Sequence, residues 1–236
     1  MQDEVTKHTK KVFREIKNPH HSLGQKATEI IIEIAIIVFA VTLSISLHNW
    51  SEHRHEHQVA GEFLKGLRTD LFKDIEALEE NRKTIVNLDS NYSYLLGVKK
   101  EQRDDKALSS QIHRHLIYDI TSTHLNTARY DGFKSSGKIE TISNDSLKEK
   151  ILFYYQQTIT NVTDLENFLN AWQLKILDLD ADKDSKLPIV DFVTTDKMQG
   201  LLGLGSHNFK ISIANYEKAI KQAKEIIAEI DKEEEK

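Results

Sequence analysis

At 236 residues the chain is long enough for one substantial core, and its lack of cysteine excludes disulfides, thiolate metal sites and a cysteine nucleophile. The formal charge of −5 is uneven: residues 1–29 carry +2 and residues 51–236 carry −6, which excludes the basic footprint of a nucleic-acid-binding domain. Only two prolines, Pro19 and Pro188, and nine glycines leave little turn material for a β-rich fold.

Residues 1–29 form a basic N-terminal segment. Lys10 to Lys17 (KKVFREIK) sets Val12, Phe13 and Ile16 beside four basic groups, a composition that suits a helix lying on anionic lipid and equally a disordered basic tail. Asn18-Pro19 breaks it before the next element.

Residues 30–50 (IIIEIAIIVFAVTLSISLHNW) are the one stretch apolar enough to leave water. From Ile30 to Leu47 the sole ionisable residue is Glu33, and the hydroxyls of Thr42, Ser44 and Ser46 can bond back to the helix backbone. Eighteen helical residues span about 27 Å, close to the thickness of a hydrocarbon core. Trp50 at the far end suits the headgroup layer. The rival readings are a buried helix of a soluble core and a cleaved signal peptide. The run is apolar all round, it exceeds a usual signal h-region, and no small-x-small cleavage site follows Ser46, so it reads as an uncleaved signal anchor. Lys7, Lys10, Lys11, Arg14, Lys17 and Lys26 precede it, and only Arg54, Lys65 and Arg68 follow closely, so the N-terminus is expected in the cytoplasm and the remainder outside.

Beyond Trp50 the helical pattern continues. Leu64, Leu71, Leu78, Ile85 and Tyr92 recur every seven residues, with Leu67, Leu88 and Leu95 in the companion position, which predicts a long helix from near Ser51 to about Gln102. Asp74 and Asn81 interrupt the companion position, which argues for packing within the chain's own bundle over a two-stranded coil. Asp104-Asp105 can cap a second helix from Lys106 to about Ile120. Residues 121–142 read as a short helix and turn, punctuated by Gly132 and Gly137. Asn144 or Asp145 can cap a third helix, with apolar positions from Leu147 to Leu179. Lys183 to Pro188 makes a loop, and Gly200, Gly203 and Gly205 mark another around a short apolar helix. Phe209 to Ile230 gives a last helix before a charged tail. The sequence therefore predicts an all-α protein, with one N-terminal transmembrane helix continuing into an elongated extracytoplasmic helical bundle over residues 51–236.

Three patches resemble a bacterial family of single-pass membrane proteins known only as domain of unknown function 6090. They are Phe13-Arg14-Glu15-Ile16; Glu33-Ile34 with Asn49-Trp50, which match that family's start and end of the membrane helix; and Ser136-Gly137-Lys138 followed by Asn144, Leu147 and Tyr154 or Tyr155. Ile32 and Ala40 stand where the family pattern has glycines. The resemblance implies a bacterial inner-membrane protein with a periplasmic C-terminal domain, and it implies no activity.

Four groups merit examination as sites. Glu33, a carboxylate within the apolar run, shares a helical face with Glu29, Ala40 and Ser44, a face suited to contact between membrane helices or, alternatively, to headgroup contact alone. His53 and His57 lie four apart and can share a face, beside His48, His55, Glu52 and Glu56; this arrangement suits a divalent metal, a pH-responsive band or a solvated polar band. Asp180, Asp182, Asp184 and Asp191 occupy positions one, three, five and twelve of a calcium-loop frame, but Ser185 replaces the turn glycine and Asp191 is shorter than the usual glutamate. Trp50 is the interface anchor. No phosphate-binding glycine loop, G-x-S-x-G or H-E-x-x-H is present. The expectation is thus a non-enzymatic interaction or scaffold protein of the bacterial cell envelope. It needs no cofactor, small-molecule substrate or nucleic acid, and its partners are the lipid bilayer and either a weak homo-oligomer or another envelope protein. The alternative is a proton- or ion-responsive sensor using Glu33 or the histidine band. Weak self-association is expected through residues near Glu29 to Ser44 and through the membrane-proximal stalk, with the fragment after about His57 folded and mainly monomeric.

Overall fold

The computed structural model describes Lys10 and residues 23–235, and all regular structure among the described residues is helical. Apart from Lys10, the expected basic helix over residues 10–17 and the Asn18-Pro19 break lie outside the described residues. The chain divides into two compact units, residues 1–59 and residues 60–236.

Helix α1 runs Leu23–Leu96, 74 residues that contain both the apolar stretch and the heptad stripe. Within the first unit it is long and apolar enough to cross a membrane, by length and composition. The large side chains of this stretch, among them Ile31, Val38, Phe39 and Leu47, are exposed.

In the second unit the heptad stripe is the core face of α1. Leu64, Leu67, Leu71, Leu78, Ile85, Leu88, Tyr92 and Leu95 are all buried. The helix stops at Leu96, before Gly97, and Lys100–Gln102 forms a separate 3-10 turn, so the expected end near Gln102 lies several residues too far. Helix α2 is Lys106–His115, with Asp105 as its N-cap accepting from the Ala107 and Leu108 amides. The sequence pattern carries this helix to about Ile120; the structure ends it at His115, and residues 116–127 run without helix, turn or bend. Helix α3 (Ala128–Ser135) is followed by Gly137 at φ 72°, the left-handed position a glycine fills without strain, and by a 3-10 turn, Lys138–Thr141.

Asn144 caps α4 (Asp145–Phe153) by accepting the Leu147 amide at 3.1 Å. One π turn, Tyr154–Thr158, joins α4 to α5 (Ile159–Ala181). It keeps Tyr154, Tyr155 and Thr158 all facing the interior. The expected loop after Lys183 is present. It leads to the short α6 (Ile189–Val193) and to α7, Asp196–Glu234, capped by Thr195.

Helix α7 corrects a third expectation. Gly200, Gly203 and Gly205 lie inside its 39 residues and break nothing. Packing overrides their low helix propensity, because Met198, Leu202, Phe209 and Tyr216 bury one face of the same helix. Helix α7 runs antiparallel to α1, marked by Arg68–Asp231 at 2.5 Å, Arg82–Glu217 at 3.3 Å and the Ser206 hydroxyl on Asp89 at 2.5 Å. It is antiparallel also to α4 and α5, marked by Asn144–Glu233 at 2.7 Å, Thr158–Gln222 at 2.6 Å and the Trp172 indole N–H on the Leu201 carbonyl at 3.0 Å.

Two of these glycines have opposite surroundings. A Cβ on Gly205 would stand 2.7 Å from a ring carbon of Tyr92 and 3.3 Å from the Trp172 indole nitrogen, whereas one on Gly203 would meet nothing within 4 Å. Tyr92 is buried and packs edge-on to Phe209 at 4.9 Å, so it has little room to yield. Gly205→Ala is expected to cost about 1–3 kcal/mol through overpacking, outweighing a helix-propensity gain of about 1 kcal/mol. Gly203→Ala should stabilise by about 0.5–1 kcal/mol. Urea unfolding of the two purified variants beside the native protein measures both signs.

Candidate functional site

The extended segment 116–127 raises an immediate physical question, because a stretch without helix or strand partner must place its backbone donors and acceptors elsewhere. Five of them are taken by side chains of α5. Asn170 accepts the Thr121 N–H at 3.0 Å and donates to the Thr121 carbonyl at 2.7 Å. Gln173 does the same for Asp119, accepting its N–H at 3.0 Å and donating to its carbonyl. Glu166 accepts the Thr123 N–H at 3.1 Å and also the Thr123 hydroxyl. Residues 119, 121 and 123 are thus held in order by positions 173, 170 and 166.

This register follows from two periodicities. Residues 166, 170 and 173 fall on one face of a helix and span about 10.5 Å along its axis. Residues 119, 121 and 123 face one way along an extended chain and span about 13 Å. The two lengths nearly match, so three polar side chains can serve every second residue of the segment. Thr121 and Glu166 are buried, as is Gln173. At such positions an unmade bond costs about 1–3 kcal/mol, which is why the pairing must be complete.

Helix α1 holds the segment from its other side through the two polar residues that interrupt its stripe. Asp74 accepts from the Asn126 backbone N–H at 2.9 Å and from its side-chain amide at 2.8 Å. Asn81 donates to the Thr123 hydroxyl at 2.7 Å, and Asn91 bonds the His115 ring at 2.9 Å. Asp74 and Asn81, which read in sequence as defects in a seam, are attachment points. Glu166, Asn170 and Gln173 escape the sequence analysis, although their i, i+4, i+7 spacing beside the Leu165–Leu169–Trp172–Ile176 stripe is the available signal.

Glu166 also accepts the buried Tyr216 hydroxyl of α7, so one carboxylate ties α7, α5 and the segment together. Around Asp74 the interior is aromatic. Tyr155 stacks on Tyr130 at 4.3 Å and meets Tyr154 edge-on at 5.0 Å, and Gln156 donates to the Tyr130 hydroxyl at 2.9 Å. Burial raises both Tyr154 and Tyr155, and the Asp74 charge raises them further, so both remain neutral phenols.

The other sequence candidates are not brought together. The histidine band stays on the surface of α1 in the first unit, with His53 3.4 Å from Glu56 and His48 4.0 Å from Glu52; His57 is exposed. Asp180 pairs with Lys183 at 2.5 Å, Asp184 accepts the Lys186 amide at 2.8 Å, and Asp191 pairs with Arg103 at 3.0 Å; Asp182 is exposed. Among the described residues no group of three or more His, Asp or Glu side chains is placed to hold a metal ion. Glu33 is buried, at 6% exposure, while Ala40 is exposed and Ser44 half-buried; the Glu29 side chain lies outside the described residues. Trp50 is exposed, with the Arg54 guanidinium 5.0 Å over its ring.

No protein-family model, curated protein or solved structure matches this chain.

Asp74 gives the site a measurable pH signature. Burial pushes its carboxyl above the ordinary value; the two bonds from Asn126 offset part of this, and the nearby Asp70 charge adds to it. The folded protein therefore binds this proton more tightly than the unfolded chain does. The corresponding stability is fully present below the unfolded carboxylate pKa and is lost as pH rises through the raised folded value. Asp74→Asn keeps the acceptor for Asn126 and cannot ionise, so its stability relative to the native protein should increase as pH rises from about 4 toward neutrality. Asp74→Ala, which strands the Asn126 donors, should lose about 1–3 kcal/mol at neutral pH. Denaturant midpoints across that pH range measure both, and an Asp74→Asn difference that stays flat with pH would contradict the assignment.

Proposed function

We propose that this chain is a non-enzymatic, membrane-anchored interaction protein of the bacterial cell envelope. Residues 30–50 cross the inner membrane with the N-terminus in the cytoplasm, and residues 51–236 form a periplasmic helical bundle that contacts copies of itself or another envelope protein. The observation that carries this reading is the exposure of the apolar stretch. Only 6% of its most apolar window is buried, whereas the core helix of a soluble protein buries most of such a face. A continuous band of exposed Ile, Val, Leu and Phe around α1 is what lipid covers. The charge bias across the stretch supports the orientation, and the motif resemblance to the family of domain of unknown function 6090 supports the same architecture.

A second reading has its own observation. Glu33 is a buried carboxylate in the apolar stretch, a position that costs about 2.5–3.5 kcal/mol on insertion scales and is a functional candidate for that reason. In this reading the chain is a proton- or ion-responsive module.

Protease added to spheroplasts should digest the C-terminal domain and spare an N-terminal tag, and protection of both ends would contradict the topology. Glu33→Gln separates the two functions in the same membranes. A changed oligomeric state with unchanged ion leak is expected of the interaction protein; changed leak with an unchanged oligomer would replace that reading with the sensor.

A further inference from the structure

Directly after the apolar stretch, α1 carries four histidines within residues 48–57: His48, His53, His55 and His57. All four are exposed, the His48 and His53 side chains at 79% and 75%. At about 100° per residue, His48 and His55 fall on one face of the helix, and His53 and His57 on the opposite face. The imidazoles thus form a collar around α1. A single metal ion or a partner docked from one side would meet only half of it, whereas a helix that crosses a flat surface meets that surface all round. With residues 30–47 in hydrocarbon, as proposed above, His48 stands about 1.5 Å beyond the boundary and His57 about 15 Å beyond it. The headgroup layer fills the first ~5–8 Å, and the Debye length at physiological ionic strength adds about 8 Å. The whole collar therefore lies within electrostatic reach of the lipid headgroups.

We infer that residues 48–57 are a pH-gated contact for anionic phospholipid headgroups. The fixed charges of the collar are Arg54, Glu52 and Glu56, so it carries −1 with its imidazoles neutral and +3 with all four protonated. Imidazole makes that change between about pH 5 and 8. An anionic surface therefore repels the collar in one state and attracts it in the other. The charged groups that face the imidazoles are on the same helix. Glu52 lies 4.0 Å from His48, Glu56 lies 3.4 Å from His53, and the Arg54 guanidinium stands 5.0 Å over the Trp50 ring. The next charged residue along the chain is Glu62. Among the described residues His55 and His57 have no ion pair, so the charge they gain faces outward unopposed. Trp50, 59% exposed between His48 and His53, sets an amphipathic ring at the depth that aromatic anchors favour. The inference rests on the membrane-anchor part of the proposed function and adds to it the class of lipid the collar selects and the condition under which it does so.

Trp50 reports the lipid beside the collar. The full-length protein is reconstituted into mixed vesicles of phosphatidylcholine and phosphatidylglycerol, with one lipid or the other spin-labelled near the top of its acyl chain. Quenching of tryptophan fluorescence is then followed between about pH 8 and pH 5. Trp172, in the second unit, supplies an unquenched background. The ratio of quenching by labelled phosphatidylglycerol to quenching by labelled phosphatidylcholine should rise at least about twofold on acidification and fall back in about 0.5 M salt. A chain carrying His48→Gln, His53→Gln, His55→Gln and His57→Gln should hold a flat ratio with unchanged circular dichroism, since glutamine suits a helix. Glu52→Gln with Glu56→Gln, which makes the collar +1 with neutral imidazoles, should raise the ratio already at the alkaline end. A flat ratio in the native chain overturns the inference, and continued quenching by either lipid then leaves the anchor standing. Absence of quenching by both lipids overturns the anchor itself. A rise that survives the four histidine substitutions, or an alkaline ratio unmoved by the two glutamate substitutions, overturns the assignment to the collar.

Discussion

A backbone that forms neither helix nor strand must still place its amides and carbonyls, and in residues 116–127 that requirement shapes the second unit. The backbone of residues 119, 121 and 123 is bonded by three side chains of α5, and Asp74 and Asn81 of α1 hold Asn126 and the Thr123 hydroxyl. A position on α5 that held leucine instead of Asn170 would leave both backbone groups of the buried Thr121 without partners. Glu166, Asn170 and Gln173 therefore sit where they do because the segment is extended, and the segment stays extended because they are there. The mutual dependence explains why polar residues occupy interior positions of helices that otherwise follow apolar stripes. It also explains why α1, α5 and α7 need no fourth long helix: the extended segment runs antiparallel to α1 and α5 and covers the groove between them.

The helical character of the chain was legible from periodicity alone. The stripe Leu64 to Leu95, the caps at Asp105 and Asn144 and the loop before Pro188 each rest on local rules that survive folding. The failures have a common cause, which is that tertiary contacts overrode local preference. Residues 116–120 continue the helical spacing of α2, yet their backbone is drawn into bonds with α5, 54 positions away in the case of Asp119 and Gln173. Gly200, Gly203 and Gly205 carry the composition of a loop, yet they sit in a helix whose other face is buried, and Gly205 is used for close approach of Tyr92 and Trp172. Asp74 and Asn81 illustrate the same limit from the other side. Sequence alone marks them as exceptions in a seam but cannot supply the partner, since Asn126 and Thr123 carry no signal that they will face α1.

The proposed anchor follows a simpler rule. Its large apolar side chains, among them Ile31, Val38, Phe39 and Leu47, are exposed, and that exposure is the physical counterpart of their composition. Where the sequence suggested metal chemistry, the ionic groups have instead found local partners: Lys183 for Asp180, Arg103 for Asp191 and Glu56 for His53. Spacing along a chain records which residues can converge; the competing charged partners decide whether they do.

Amide hydrogen exchange resolved residue by residue tests the docking of the extended segment most directly. The amides of Asp119, Thr121 and Thr123 are held by α5, whereas among the described residues those of Tyr118, Ile120, Ser122 and His124 make no hydrogen bond. The account predicts protection that alternates with a period of two along this stretch and that collapses at Thr121 when Asn170 is replaced by Ala. Uniform fast exchange from residue 118 to residue 124, or uniform protection of the kind a helix gives, would contradict it.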